Sequence, residues 1–253
     1  MTRDELEQFL NETLEPTRYQ DYGPNGLQIE GKDEIQKIAF AVSATKDSIA
    51  QAVKEKADAL IVHHGLFWRF HGTRTITGPF AKRVVPLIRH DINLFGYHLP
   101  LDGHLQYGNA AGLAHALGME NIEPFALEKG SYLGVKGELP NSQSSKDFAK
   151  TLEKVLSHCV LHACPESNGS IQSLGIITGG ANSKWTMALD DGLDAYITGE
   201  MSEHDWNEAR ESELHMFAGG HHATEVFGVQ NLQKLIASKF DVQTIYINSE
   251  NPA

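Results

Sequence analysis

The chain has 253 residues, of which 41% are hydrophobic and 21% charged, an ordinary soluble composition that can bury one large domain or two smaller lobes. Its formal net charge of −12 argues against a general affinity for nucleic acid, and no apolar run approaches the length a bilayer needs. The acidic start Met1-Thr2-Arg3-Asp4-Glu5 lacks the pattern of a signal peptide, so a cytoplasmic protein with no membrane partner is expected.

Residues 2–10 read as a helix, with Thr2 and Glu5 in capping-box positions and Leu6, Phe9 and Leu10 at helical spacing. Asp21 to Gln28, with two glycines and a proline, reads as turn chemistry. Ile38 to Val42 is a continuous apolar run, expected of a strand covered on both faces. Residues 46–56 read as a helix, and Ala59 to Val62 as a second buried strand ending at His63-His64-Gly65. A helix near 79–90 leads to a strand over 92–97 that ends at His98. Alternation of this kind predicts an α/β sheet.

The second half repeats the first. Without gaps, residues 37–64 lie against 173–200, so that Asp58-Ala59-Leu60-Ile61 meets Asp194-Ala195-Tyr196-Ile197. Ile92-Asn93-Leu94-Phe95 similarly resembles Leu214-His215-Met216-Phe217, and each stretch runs into a His with an acid four residues on: His98 with Asp102, His221 with Glu225. The predicted fold is therefore α/β, two similar interleaved lobes from an internal repeat, three-layered, with a metal site between them. Residues 1–118 form the first lobe on this reading, 119–171 an inserted connecting segment holding one amphipathic helix over 144–156, and 172–253 the second lobe. No chemistry is expected in the inserted segment. Cys159 and Cys164 are read as structural, because a single pair with four residues between is weak ground for a zinc site.

Thirteen histidines are more than packing requires, and they gather at strand ends. In open α/β sheets the carboxyl ends of strands carry function. Those ends here hold His63-His64, His98 to Asp102, Gly199-Glu200, and His221-His222 to Glu225. Adjacent residues of an extended strand point to opposite faces, so His63 and His64 together suggest two ions rather than one. His221 and Glu225 share a helix face, with Glu225 suited to bridging. A donor set of imidazole and carboxylate without thiolate suits zinc, iron, manganese, nickel or cobalt alike.

Five ordered stretches carry a family resemblance: Asp21-Tyr22 with Asn25 to Gly31, Ile61 to Gly65, Gly96 to Asp102, Ile197 to Glu200, and Ala218 to Glu225. The chain resembles, essentially end to end, the short bacterial NIF-three-like proteins labelled GTP cyclohydrolase I type 2 homologs. The resemblance implies a dinuclear metal centre and a homohexameric, toroidal ring. It assigns His63, Asp102 and Glu225 to one ion and His64, His221 and Glu225 to the other. Longer members carry a large central insert, which this chain replaces with the compact 119–171 segment.

The expected function is a metal-dependent hydrolase of a nucleotide or phosphoester. In a cyclohydrolase reaction water attacks the imidazole carbon of guanine, with His98, Glu200 and His222 as candidates for proton transfer or for orienting ligands. From Ala59 to His90 there is no acid, while Arg69, Arg74, Lys82, Arg83 and Arg89 all fall there, and Arg69 and Arg74 are candidates for holding a phosphate. No glycine-rich phosphate loop of common spacing occurs. The alternative is a non-catalytic metal-binding ring, acting as metal carrier or interaction scaffold.

Overall fold

A computed structural model describes residues 1–253, which form two compact units, one of residues 1–101 with 228–250 and the other of residues 102–227 with 251–253.

The first unit begins with α1 (Arg3–Leu14), whose capping box is made by Thr2 and Glu5. Next come β1 (Gly26–Ile29), β2 (Lys37–Ser43), α2 (Lys46–Lys54), β3 (Ala59–His64), α3 (Gly78–Arg89) and β4 (Asn93–Gly96). Within α4 (Leu99–Gly103) the chain passes into the second unit. The first unit's sheet has the order β1-β4-β3-β2-β11, where β11 (Gln243–Tyr246) adds in parallel to β2. Alternate strand residues, among them Ala39, Leu60, Val62 and Leu94, pack with Ile49 and Ala52 of α2 and Phe80, Val84 and Leu87 of α3. The intervening residues Ile38, Phe40, Ile61 and Phe95 are equally inaccessible, so both sheet faces are covered, as the continuous apolar runs require. Each such side chain contributes about 2 kcal/mol by leaving water.

The second unit contains α5 (Asn109–Ala116), β5 (Glu120–Glu128), β6 (Ser131–Ser144), α6 (Ser145–Leu156), β7 (Leu161–Ala163), β8 (Ser170–Ile176), α7 (Trp185–Asp190), β9 (Ala195–Thr198), α8 (Glu203–Glu211), β10 (His215–Ala218), α9 (His221–Thr224) and the start of α10 (Val226–Lys239). Its sheet runs β5-β6-β8-β9-β10-β7. Leu174, Ile197 and Phe217 pack with α5 and α6, while Tyr196 and Met216 pack with α7 and α8. The unit is thus three-layered.

The sequence repeat is a structural repeat, residue for residue. Ile38 pairs with Ala59 and Ala59 with Asn93; in the second unit Leu174 pairs with Ala195 and Ala195 with His215. The polar staples repeat too. One carboxylate oxygen of Asp58 accepts the Gln36 and Lys37 amides, and one of Asp194 accepts those of Gln172 and Ser173.

Three expectations need correction. Residues 119–171 are not a connector, because β5, β6 and β7 are full members of the second sheet. The second unit does not run to the end of the chain, because α10 from Gly228 onward and β11 return to the first, where β2 offers an open strand edge. Gly26–Ile29 is a strand rather than a turn, held by antiparallel pairing with β4 that a local reading could not register.

Candidate metal centre

Ligand-type side chains of the first unit come from the ends of β3 and β4. His63 is fully buried, and its Nδ1 lies 3.1 Å from the Tyr97 carbonyl oxygen. An N–H there donates to the carbonyl and puts the ring's lone pair on Nε2. His64, the last residue of β3, has Nδ1 3.0 Å from Ser43 Oγ on β2. The two rings are therefore drawn toward the neighbouring strands on either side, yet their centroids lie only 4.4 Å apart. The expectation of opposite faces fails at the strand's last residue, where side-chain bonds and not the pleat decide direction. With His98, the three imidazoles present ring nitrogens within 4.8 Å of one another.

His98 is fixed from two sides. Its amide donates to Asn25 Oδ1 at 2.8 Å, and its Nδ1 lies 2.7 Å from Asp21 Oδ1. Asp21 also accepts the amides of Tyr22 and Leu99 and the Asn25 side chain. Burial alone would raise the Asp21 carboxyl, but His98, Asn25 and the Leu99 amide together hold it below its ordinary value. Sequence reasoning quoted Asp21 and Asn25 as family residues without giving them a task; the structure makes them the holders of His98. Gln28 likewise braces the loop after His64, bonding the Leu66 amide and the Pro24 carbonyl. A Cβ at Gly65 would collide with that Gln28 amide group, which is why glycine stands after the His pair.

Carboxylates dominate the second unit's set. Asp102 is 6% exposed, and its Oδ1 accepts from Asn109 Nδ2 and Thr178 Oγ1, each at 3.0 Å. Glu225 is 2% exposed and follows α9, with an oxygen 3.3 Å from His221 Nε2. Oxygens of Asp102 and Glu225 lie within 4.8 Å of each other. Glu200 takes the other side of His221, 2.6 Å from Nδ1. Burial would lower the His221 pKa, but hydrogen bonds and charge from Glu225 and then Glu200 outweigh it and push it up to about 9. Gly179, at φ +66°, leaves the space that Glu225 occupies, since a Cβ there would collide with the carboxylate. Three imidazoles in the first unit, and imidazole with carboxylate in the second, each suit a borderline divalent ion.

The remaining candidates lie elsewhere. His222 is buried, its amide donates to the Ala253 carbonyl at 2.8 Å, and burial lowers its pKa although the Glu225 charge acts the other way. Arg69 is exposed on the loop after β3, and Arg74 is engaged by His71 at 3.0 Å and by the Phe80 ring at 4.0 Å.

A family model for Duf34/NIF3 (NGG1p interacting factor 3) matches residues 1–252. The chain belongs to the Duf34/NIF3 family. Among Duf34/NIF3 relatives, the GTP cyclohydrolase 1 type 2 homolog of Haemophilus influenzae is 44% identical over the whole of both chains, and that of Escherichia coli K12 is 40% identical, also end to end. The solved structure of protein ybgI, of unknown function, matches with TM-score 0.93 at 39% identity over the whole of both chains. A protein of Thermus thermophilus matches with TM-score 0.88 at 29% identity, again over the full length of each. This family member is thus an α/β protein with His, Asp and Glu clusters able to hold metal, and no helix is long and apolar enough to cross a membrane.

Proposed function

We propose that this Duf34/NIF3 protein is a metal-dependent hydrolase of a nucleotide or phosphoester, working with two divalent ions per chain in a homohexameric ring. The observation that carries the reading is the Asp102–Glu225 pair, two carboxylates that are both more than nine-tenths buried and within 4.8 Å of each other. Burying two like charges side by side is costly unless cations answer them. Without metal, a protonated His221 supplies one positive charge; divalent ions would displace that proton and answer both carboxylates. The ligand sets are those the family resemblance implies: His63, Asp102 and Glu225 for one ion, and His64, His221 and Glu225 for the other.

Bound ions of this kind supply Lewis acidity and lower the pKa of a water. The protein's own groups do the positioning. Asp21 holds His98 through Nδ1, leaving Nε2 to take or return a proton at the substrate. Glu200 holds Nδ1 of His221 in the same manner, and Asn109 with Thr178 orients Asp102. The names of the relatives support a nucleotide such as GTP as the first substrate to try.

The test strips the protein of metal, reloads it separately with zinc, iron, manganese, nickel or cobalt, counts ions by mass spectrometry, and screens GTP, cyclic nucleotides and phosphodiesters. Two ions per chain, with turnover abolished by Glu225→Ala, is the expected result. One ion or none, or activity that survives Glu225→Ala, refutes the proposal. Two tightly held ions with no turnover on any metal would favour the carrier or scaffold alternative. Light scattering checks the ring, for which a mass other than six chains is the contrary result.

A further inference from the structure

A second group of ligand-type side chains lies outside the centre just described, on the edge of the second unit's sheet. β7 is the edge strand and pairs antiparallel with β10, with Met216 opposite Ala163 and Phe217 opposite His162. Side chains two residues apart on a strand share a face. His162 on β7 therefore stands beside Phe217 of β10, and Cys164, one residue past the end of β7, comes next to His162 and His215. The His162 ring stacks on Phe217 with centroids 4.2 Å apart and an interplanar angle of 11°. His162 Nε2 stands 3.0 Å from His215 Nδ1, and one ligand atom from each of His162, Cys164 and His215 falls within 4.8 Å of the others.

His215 is 2% exposed, and its far nitrogen lies 3.1 Å from the Gly169 carbonyl. An N–H at Nε2 donates to that carbonyl, so Nδ1 offers its lone pair toward His162, the arrangement that orients metal-bound imidazoles. Around a tetrahedral zinc, nitrogen and sulfur ligands at ~2.0 and ~2.3 Å stand roughly 3.3–3.6 Å apart. The 3.0 Å between the imidazoles and the 4.8 Å upper bound on the distances to the thiol bracket that spacing. His162 and Cys164 are partly exposed, which leaves an open side for the ion to enter.

The internal repeat shows that the fold does not require these residues. In the first unit β1 pairs with β4 as β7 pairs with β10, and Leu27, opposite Phe95, stands where the second unit has His162 opposite Phe217. Asn93 stands in the place of His215 and spends its side chain on backbone groups, accepting from the Gly31 amide and donating to the Lys32 carbonyl. The same strand pairing is thus built once with Leu and Asn, and once with two imidazoles and a thiol in reach.

We propose that His162, Cys164 and His215 form a separate binding site for one zinc-type ion, with an open fourth position. This inference is independent of the proposed hydrolase centre. A thiolate among its ligands gives it a softer preference than an imidazole–carboxylate set. Binding requires Cys164 as thiolate, so its proton leaves to solvent as the metal–sulfur bond forms.

Cobalt(II) reports sulfur ligation directly through a thiolate-to-metal charge-transfer band in the near ultraviolet, which imidazole and carboxylate sites do not produce. Titration of metal-free protein is expected to give that band, saturating at one sulfur-ligated cobalt per chain and bleached by added zinc. Cys159→Ser, which leaves the other free cysteine, is expected to keep it. Cys164→Ser is expected to abolish it with an unchanged far-ultraviolet spectrum, and His162→Gln to weaken the binding behind it by on the order of 10–100-fold. Absence of the band from the wild-type protein, or its survival in Cys164→Ser, overturns the proposal.

Discussion

Asp58→Ala removes the acceptor that ties the start of β2 to the start of β3. One of its oxygens takes two backbone amides, Gln36 and Lys37, each at 3.0 Å, while the other meets Lys32 Nζ at 2.7 Å. An amide bond to a charged acceptor is worth about 1.5–3 kcal/mol, while the Lys32 bridge, whose lysine is half exposed, adds at most ~1 kcal/mol. Both amides can recover some water once the carboxylate is gone, so the net loss is set at ~3 kcal/mol, about a hundredfold in an opening equilibrium. Asp194→Ala is the matched experiment in the second unit, where the amides of Gln172 and Ser173 lose the same support. Hydrogen exchange read by mass spectrometry separates the two. Asp58→Ala should speed exchange over 36–43 roughly a hundredfold and leave 170–176 alone, and Asp194→Ala should do the reverse. Exchange changed less than threefold in both variants, or raised equally in both segments by each, would refute the reasoning. Acid provides a further check. Burial would raise the Asp58 carboxyl, but Lys32 and the two amides hold it below its ordinary value, so its stabilisation is present above that ordinary value and fades as pH falls through the depressed one.

In metal-free protein His221 should titrate near 9 by ring NMR, and its stabilisation should be complete below the ordinary histidine value and lost as pH rises through about 9. Divalent-ion affinity should climb through the same window because the ion must displace that proton; a titration near the ordinary value in the wild-type protein would count against the two-carboxylate clamp. Gly65→Ala should cost about 1–3 kcal/mol in chemical denaturation, since the new methyl collides with a Gln28 side chain already held at both ends, and wild-type stability would mean that the loop yields freely.

Much of the repeat could be read from residues alone, because buried parallel strands announce themselves as continuous apolar runs. The gapless alignment of 37–64 with 173–200 even anticipated the register, since Ile38–Ala59 and Leu174–Ala195 are equivalent pairs. Less visible was whatever depends on partners distant in sequence. β6 runs through Gly134, Gly137 and Pro140, residues that locally signal turns; the two glycines sit in regular pairing with β5 and β8, and a register shift between Glu138 and Gln143 accommodates Pro140. β11 looks like any short β-rich stretch until β2 is seen beside it. At the candidate centre the histidines and acids were legible by type and spacing. The groups that aim them, Asp21 on His98, Ser43 on His64 and Thr178 on Asp102, were not, because each bond joins segments 21 to 77 residues apart. Cys164 reads as structural and His162 goes unremarked in the sequence for the same reason: His215 lies 53 residues beyond His162.

The return of α10 and β11 to the first unit sets an order on the ribosome. The second unit is nearly contiguous, and every one of its strands has been synthesised once Ala218 emerges. The first unit, though translated earlier, must wait for Gln243–Tyr246 before β2 gains its outer neighbour. Until then β2 is a bare, apolar strand edge, the kind that invites pairing with a neighbouring nascent chain. The half begun first is finished last, and slow or interrupted synthesis of the final residues would expose it longest.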